Sequence, residues 1–459
     1  MKRILPTALR AHALVFGATI AVAASATMTP AEVKQLDGPL TPVGAERAGN
    51  ADGTIPAWTG KWLGVPSGVS YTQGERYPDP YASEKPLAVI TPQNMQQYES
   101  KLTEGEKALF KKYPNTFKML VYPSHRDFRI SEGKYKAIRE WAARTTTTSD
   151  YNGLHNFPPL APFPIPKTGI ELMWNLRFAS DIVAENATYD QAVIYPNGNI
   201  AWGKTAYVIY APVGADVFDP KNPLNSKSFY RQTTLLPLSD RGTIITGYEM
   251  WDQEGTDTRR TWVYNPGTRR VRQAPEFGFD QPDGAGGFRT VDDDRLFNGS
   301  GQRYDWKIVG KREVYIPYDN YKLMDPKIKY SSILTPGHEN MDYMRFELHR
   351  VWVLEATLKT GFRHQYAKRV LFIDEDTWQA VQADNYDSRG ELWRVSMVHT
   401  SYDYTAQIFQ ARVAVFHDLA SGAYMADRLI NEAERAPVIN GGTLKPAMFT
   451  PEAAREDGR

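Results

Sequence analysis

Hydrophobic and polar residues alternate along the stretch from Met344 to Thr400, a pattern typical of β-strands. Successive strand side chains point to opposite faces, so the first part predicts a long strand with one apolar and one mostly polar face. The apolar positions of that strand are Phe346, Leu348, Trp352, Leu354, Ala356 and Leu358. Turn-like segments at residues 359–364, 374–377 and 387–390 separate it from three further β-rich runs. We therefore predict an antiparallel meander whose apolar face needs a covering layer.

Strand patterns recur on both sides of this meander. Gln191–Tyr195 and Thr205–Tyr210 flank a PNGN turn, which is a hairpin signal. Tyr304–Val309 and Lys311–Ile316 are predicted as another pair of strands, whereas Met173–Glu185 fits either a helix or a first strand. No parallel βαβ rhythm and no internal repeat is evident. The chain is thus predicted to be mainly β with helices (α+β), with one large antiparallel curved sheet or an unclosed β-barrel.

The first third of the chain has a different pattern. Residues 27 to about 90 are rich in turn residues, and Trp58 and Trp62 are expected to hold them against the body. Thr103 followed by Glu106 forms a capping box that begins a helix, and another helix is predicted from Ser131 to Trp141. We predict that residues 27–155 form a wrapping arm with helices.

The remaining boundaries follow from composition. Residues 156–170 contain five prolines and are predicted to be an extended strap across the sheet. Residues 171–436 are predicted to form the open antiparallel β-barrel domain, and residues 437–459, rich in Gly and Pro, a loose C-terminal tail.

The first 26 residues have the three parts of a secretory signal peptide. Basic residues at Lys2, Arg3 and Arg10 precede an apolar run that is too short to span a membrane, and residues 24–26 form an A-x-A cleavage signal. The chain has no cysteine, which rules out disulfides, thiolate catalysis and lipoprotein acylation. We therefore expect a periplasmic protein that is soluble and not lipid-anchored.

Charge and motifs narrow the function classes. A formal net charge of +1 provides no basic field for nucleic acid. The sequence contains no H-E-x-x-H, P-loop, G-x-S-x-G or dinucleotide fingerprint. We therefore predict no catalytic residue, no metal and no cofactor. An aromatic content of 12% suits either β-sheet surfaces or a cavity for an apolar ligand.

Two groups of polar residues leave alternatives open. His349, His364 and His399 fall in the meander, where hydrogen-bonded strand histidines are the ordinary interpretation and a cross-strand metal site is the alternative. The loop from Asp280 to Asp294 carries aspartates around a glycine run, which suits Ca²⁺ or a pair of hydrolytic carboxylates. Consecutive aspartates also suit a helix N-terminus facing Arg295.

Arg350 interrupts the apolar face of the long strand. An ion pair with a neighbouring strand is one interpretation, and an anchor for an anionic or carbonyl headgroup deep in a hydrophobic cavity is the other. The residues predicted to line such a cavity are Phe346, Leu348, Arg350, Trp352, Leu354, Trp262 and Tyr264.

Several runs resemble one family over nearly the whole mature chain. They include LTPVGAERAGNADGTIPAW, PFPIPKTG, WVYNPGTRRVRQAP, FNGSGQRYDWKIVGKREVYIPY and ELHRVWVLEATLKTGFRHQYAKRVLFIDEDTW. The family is domain of unknown function 1329, exported Gram-negative proteins described as outer-membrane lipoprotein-sorting-like. The resemblance implies a fold like the periplasmic lipoprotein carriers, with helices plugging an unclosed β-barrel and an apolar cavity. It implies no catalytic residues.

Three functions remain as hypotheses. The first is a non-catalytic periplasmic carrier of a hydrophobic, lipid-like ligand in envelope transport, with inner- or outer-membrane transport proteins as further partners. The alternative is an envelope scaffold or adaptor that docks on such a membrane partner, its core filled by its own helices and strap. A lesser alternative is a hydrolase that uses the Asp-rich loop. A cavity larger than a water molecule distinguishes the first from the second.

Overall fold

The computed structural model describes residues 28–61, 67–72, 74–126, 128–180, 182–215, 227–251, 259–274 and 279–458. The predicted signal peptide, residues 1–26, lies outside these ranges, and so does Trp62. Within these ranges no helix is both long and apolar enough to cross a membrane.

The helices are short, and most of them begin at a side-chain cap. Thr103 and Glu106 form the predicted capping box, Ser131 caps the next helix, and Thr168 with Glu171 caps the helix that follows the Pro-rich segment. The α-helices are α1 (Pro30–Gln35), α2 (Glu104–Lys112), α3 (Glu132–Trp141), α4 (Gly169–Arg177), α5 (Tyr330–Ile333) and α6 (Pro451–Asp457).

Strands make up most of the regular structure. Short 3₁₀ segments connect several of them, and the longest of these is Met95–Lys101. The strands are β1 (Ala88–Ile90), β2 (Met119–Val121), β3 (Thr146–Thr147), β4 (Leu154–His155), β5 (Ala184–Ile194), β6 (Ile200–Tyr210), β7 (Lys227–Leu236), β8 (Ile244–Met250), β9 (Arg259–Asn265), β10 (Arg270–Gln273), β11 (Pro282–Asp283), β12 (Arg289–Thr290), β13 (Tyr304–Pro317), β14 (Phe346–Leu358), β15 (Lys368–Asp374), β16 (Ala380–Tyr386), β17 (Leu392–Asp403), β18 (Ile408–Asp418), β19 (Tyr424–Leu429) and β20 (Val438–Ile439).

One large sheet contains sixteen of these strands. Its order runs from β13 through β14–β19 without a break, continues with β5 beside β19, and ends with β6 to β10. Neighbours along this order are antiparallel, and β13 and β10 do not pair with each other, so the sheet is not closed into a barrel. The predicted fold class is confirmed, and so is the meander from β14 to β17.

Both faces of the sheet are covered in its middle part. Alternate residues of β18 belong to two separate hydrophobic clusters: Val413 and Val415 pack with α2, whereas Ala414 and Phe416 belong to the cluster of α4, the arm and the Pro-rich segment. We call the second face the inner face and the first the outer face. The mostly polar face predicted for β14 is therefore not exposed, and its Glu347 and His349 are fully buried.

The inner face is filled by α4 and the Pro-rich segment. Asn175 of α4 accepts a hydrogen bond from the Phe163 amide at 2.9 Å and donates one to the Phe163 carbonyl at 2.7 Å. Gly169 begins the helix against β13, where a Cβ atom would lie 2.4 Å from the Trp306 backbone. The segment that fitted either a helix or a strand thus begins with a helix, which is held inside the sheet.

Two local predictions were wrong. Residues 304–317 form one strand, because Gly310 is accommodated as a β-bulge opposite β14 rather than as a turn. Residues after 437 were predicted to be loose, but β20 pairs with β5, and α6 packs on the outer face of β8–β10. The Tyr264 hydroxyl donates to the Gly458 carbonyl at 2.8 Å and holds the end of that helix.

Candidate ligand cavity

A cavity of about 160 Å³ lies on the inner face at the β6–β9 end of the sheet. It is bounded by the C-terminal end of α4, the inner face of these strands, and the loop of residues 283–298, which we call the Asp-rich loop. Its lining includes Arg177, Tyr207, Ile209, Ser228, Tyr230, Ile245, Glu249, Trp251, Arg259, Arg289, Asp294, Arg295 and Phe297.

Strand alternation places these side chains. Ser228 and Tyr230 of β7 point to the same face, beside Ile209 of β6 and Ile245 of β8. Gly247 faces Tyr230 across the strand pair, and a Cβ atom there would lie 2.6 Å from the Tyr230 hydroxyl. The missing side chain lets the tyrosine ring lie flat across the sheet, where its hydroxyl hydrogen-bonds Thr261. The strand glycine therefore shapes the cavity floor.

A buried carboxylate on the wall is neutralised by two arginines. Glu249 contacts Arg177 and lies 3.4 Å from Nη2 of Arg259, which also donates to the Asn298 carbonyl at 3.0 Å. Burial raises the pKa of Glu249, but the two guanidinium charges outweigh it and lower the pKa to about 2. Glu249 is thus a structural anion that ties α4 to β8 and β9.

The Asp-rich loop is held by ion pairs. Asp292 and Asp293 both pair with Arg369 of β15, at 3.1 and 2.8 Å. Asp294 pairs with Arg428 at 3.0 Å. Burial raises the pKa of Asp294, yet the positive charges of Arg428 and then Arg289 lower it to about 2. The three aspartates therefore bind arginines on distant strands, and their geometry is that of a clamp rather than of a shared cation site.

Arg295 follows this run and points in another direction. Its backbone and that of Leu296 are both left-handed, with φ of +52° and +66°. Arg295 lines the cavity and is half-buried. Its guanidinium acts electrostatically on the Tyr207 hydroxyl, whose pKa burial raises far more than this charge lowers it.

None of the seven predicted site residues lines this cavity. Phe346 and Leu348 are buried in the outer-face cluster, and Leu354 is buried in the inner-face cluster. Trp262 and Tyr264 lie on the outer face of β9, since Thr261 and Val263 alternate with them, and Tyr264 packs on α6. That these residues bind a ligand stays a prediction.

The remaining two predicted residues, Arg350 and Trp352, also contact other parts of the protein. Nη1 of Arg350 lies 3.2 Å from Glu375, and Nη2 donates to the Ala48 carbonyl at 2.9 Å. Trp352 stacks on Trp378, with ring centroids 6.3 Å apart. The ion-pair interpretation of Arg350 is therefore the observed arrangement.

The histidines of the meander are buried beside carboxylates. His364 contacts Asp292 at 3.1 Å, and His399 lies 3.6 Å from Glu339. In the part of the chain that the structure describes, one group has the donors and spacing for a metal: His349, Asp374 and Asp376, with ligand atoms within 4.8 Å of one another. Both oxygens of Asp376 accept hydrogen bonds from Arg126 at 2.7 Å, so an ion would have to compete with a bidentate pair.

Sequence reasoning missed the cavity because its residues are dispersed. They come mainly from the end of one helix, four strands and one loop, and each strand contributes only a few, mostly alternate, residues. One signal was present: the Asp-rich loop combines glycines, aspartates and an arginine beside a hairpin-rich region. It marked the right loop without showing that the arginine, rather than the aspartates, faces the cavity.

One protein family matches most of the chain. The family model described as "Protein of unknown function (DUF1329)" matches residues 89–455. The chain belongs to the DUF1329 family. Uncharacterized protein PA3922 of Pseudomonas aeruginosa is 42% identical over 444 residues, which cover 96% of each chain.

Solved structures resemble this DUF1329 protein at low sequence identity. A DUF1329 family protein from Desulfovibrio piger is 15% identical with a TM-score of 0.41, over 62% of this chain and 97% of that one. A LolA superfamily protein from Nitrosomonas europaea is 13% identical with a TM-score of 0.36, over the same shares. Both likenesses are distant.

Proposed function

We propose that this protein binds a hydrophobic small molecule in the periplasm and carries it, without chemical conversion, between envelope components. The cavity at the β6–β9 end of the sheet is the observation that carries the proposal. Its volume of about 160 Å³ is that of an apolar cavity known to admit a single aromatic ring, about 150 Å³. It therefore suits one ring or a short acyl segment, and longer ligands would extend through its opening.

The side chains of the cavity walls are suited to binding an apolar ligand. Tyr207, Ile209, Trp251 and Phe297 supply apolar surface, while the polar side chains Glu249, Arg177 and Arg259 satisfy one another. Each buried methylene contributes roughly 0.8 kcal/mol, so burial alone provides affinity. A protein whose sheet served only as a scaffold would be expected to fill this space with its own side chains.

Fluorescence titration with N-phenyl-1-naphthylamine, an apolar probe, tests this proposal on the mature chain. We expect saturable binding at one site. Ser228→Trp places an indole in the cavity and should weaken binding at least about tenfold, since the ring occupies the ligand volume. Absence of saturable binding by the natural protein would refute the proposal.

A matched control uses the same substitution elsewhere. Ser239 is exposed in the turn between β7 and β8 and does not line the cavity. Ser239→Trp should bind the probe as the natural protein does. Equal weakening in both variants would assign the effect to the added indole and not to the cavity.

The periplasmic location is a separate part of the proposal. It is supported by the basic, apolar and A-x-A parts of residues 1–26. Fractionation of cells that produce the full chain should recover a shortened protein with the periplasmic contents. Replacing the apolar run, residues 13–23, with polar residues should leave the full-length chain in the cytoplasm.

A further inference from the structure

Arg295 is held in an unusual backbone conformation beside the cavity. Arg295 and Leu296 are consecutive non-glycine residues with left-handed φ, an unfavourable arrangement that persists only where the surroundings enforce it. The surroundings here are the ion pairs of Asp293 with Arg369 and of Asp294 with Arg428. The clamp on the aspartates therefore determines where Arg295 lies.

The aspartates beside Arg295 are already paired. Asp292 lies 3.1 Å from Nη1 of Arg369, Asp293 accepts a hydrogen bond from Nη2 of Arg369, and Asp294 accepts one from Arg428. Among the residues that the structure describes, the Arg295 guanidinium has neither a hydrogen bond nor an ion pair at contact distance. The three adjacent aspartates thus pair with arginines on other strands, and none of them is in hydrogen-bond or ion-pair contact with Arg295.

The other arginines of the cavity are compensated. Arg177 and Arg259 share Glu249, and Arg289 pairs with Asp283 at 2.8 Å and Asp427 at 3.3 Å. Four arginines and three acidic residues, Glu249, Asp283 and Asp294, line the cavity, so its lining carries one excess positive charge. That excess is at Arg295.

The space around Arg295 extends in three directions. Besides the main cavity, a pocket of about 20 Å³ beside Ala179 and Phe409 and one of about 10 Å³ beside Val398 and Phe416 are both lined by Arg295. Arg295 therefore lies where the main cavity meets two small, largely apolar pockets. A half-buried cation beside apolar walls is poorly solvated and gains from a bound anion.

We propose that Arg295 binds the anionic headgroup of an amphiphile, a carboxylate or a phosphate monoester, whose apolar part occupies the cavity. This inference rests on the proposed function and adds the headgroup chemistry to it. Guanidinium forms two parallel hydrogen bonds with a carboxylate or phosphate, which explains why an arginine suits both. The aromatic residues Tyr207 and Phe297 then face the apolar part.

Isothermal titration of the mature chain with three ligands of equal tail length tests this assignment: octanoate, octyl phosphate and 1-octanol. Acetate and inorganic phosphate serve as headgroups without a tail. At least one octyl anion should bind at least about tenfold more tightly than octanol, as expected for a charge-assisted bidentate pair. The tighter of the two anions identifies the headgroup.

Arg295→Met keeps the apolar stem and removes the charge. It should bind octanol as the natural protein does and lose the preference for the anions, a result that general destabilisation would not produce. Arg295→Lys should keep part of the preference and serves as the second variant if Arg295→Met does not fold. Arg241→Met, at an exposed position in the turn between β7 and β8, is the matched control and should bind all three ligands unchanged.

The outcomes separate the two proposals. Octanol binding as tightly as both anions, or an Arg295→Met protein that keeps the preference, would overturn the role of Arg295 while leaving the cavity proposal intact. Acetate or inorganic phosphate binding as tightly as its octyl derivative would show a free-anion site and also overturn it. No binding of any octyl ligand or of the naphthylamine probe would overturn the proposed function itself.

Discussion

The two ends of the sheet are built differently, and the difference locates the binding site. At the end formed by β14–β19, which we call the packed end, both faces are covered: every residue of β18 except Ala411 is buried. At the end formed by β6–β9, the open end, only Gly203 and Tyr207 of β6 are buried. The strands of the packed end are therefore buried on both faces, whereas those of the open end are half-covered and border the cavity.

Charge is also distributed differently between the two ends. At the packed end, the carboxyl groups of Glu106 and Asp384 are buried beside each other without a cation in contact. Burial raises the pKa of both. At the open end Glu249 is buried with two arginines, and its pKa is lowered. Stability should therefore respond to pH in opposite directions through Glu106 and through Glu249, while ligand binding should respond only to changes at the open end.

The largest loss of stability is expected from Arg369→Met. This arginine is fully buried on β15 and joins the packed end to the Asp-rich loop through Asp292, Asp293 and the Leu296 carbonyl, to which it donates at 2.7 Å. Its removal leaves two buried carboxylates without their cation, which costs about 3–5 kcal/mol of unfolding free energy. Denaturant unfolding followed by circular dichroism measures the loss.

Arg389→Met is the control for that experiment. Arg389 also pairs with carboxylates, Asp387 and Glu391, but its side chain is 73% exposed. Exposed ion pairs contribute little, so the unfolding midpoint should not change. Similar losses in both variants would contradict the distinction between the buried clamp and surface charge.

The same truncation at each end separates packing from binding. Ile373→Ala removes a fully buried side chain of β15 and should cost about 2–5 kcal/mol of unfolding free energy, with unchanged probe affinity. Ile245→Ala removes a half-buried side chain from the cavity wall, so it should cost roughly 1 kcal/mol and weaken the probe. Comparable losses of stability would show that the open end is packed as tightly as the other.

The pH dependence of stability distinguishes a buried carboxyl with a raised pKa from one with a lowered pKa. Burial, with the charge of Asp384 adding to it, raises the pKa of Glu106 from 4.5 to about 8. Folding therefore favours the protonated form of Glu106. The stability that this form contributes to the fold is fully present below pH 4.5 and is lost as the pH rises through about 8. Glu106→Gln keeps the acceptor for the Thr103 amide and does not ionise. Its unfolding free energy relative to the natural protein should rise by roughly 1.4 kcal/mol per pH unit between pH 6 and 8.

For Glu249→Gln, the difference in unfolding free energy from the natural protein should change with pH in the opposite direction. The lowered pKa of Glu249, about 2, means that its ionised form stabilises the fold above pH 4.5 and that this contribution is lost as pH falls toward 2. The variant should therefore be less stable than the natural protein at neutral pH, with the difference shrinking in acid. Parallel pH profiles for Glu106→Gln and Glu249→Gln would contradict the contrast between the ends.

Local sequence chemistry predicted much of the fold. Helix caps at Thr103 and Ser131 and the hairpin at residues 195–199 depend on residues close in sequence, and the structure contains them. What covers a strand depends on distant residues. The alternation in β14 predicted one mostly polar, solvated face. The His125 amide, far from β14 in sequence, instead donates a hydrogen bond to Glu347 on that face, and Glu84 forms an ion pair with Arg345 just before the strand. A two-residue period cannot distinguish a solvated polar face from a buried ion-pair network.

The cavity escaped prediction for the same reason. In the run Asp292–Arg295 the nearest opposite charges are adjacent in sequence, which suggests local pairing. The structure instead pairs the acids with Arg369 and Arg428, 70 or more positions away, and leaves Arg295 beside the cavity. Arg350 shows the converse, because an arginine predicted to face a ligand is neutralised by a glutamate and by the wrapping arm.

The smallest effect is expected at Arg350, and it tests whether the packed end has any part in binding. Arg350→Met removes the contact with Glu375 and the bond to the Ala48 carbonyl, but Glu375 keeps Lys311 at 2.9 Å. Because the carboxylate is not left alone, the loss should be about 1–2 kcal/mol of unfolding free energy. Affinity for octanoate and for the naphthylamine probe should not change. Weakened octanoate binding with an unchanged unfolding midpoint would instead move the anionic subsite to the long strand, since only an arginine that contacts the headgroup produces that pair of results.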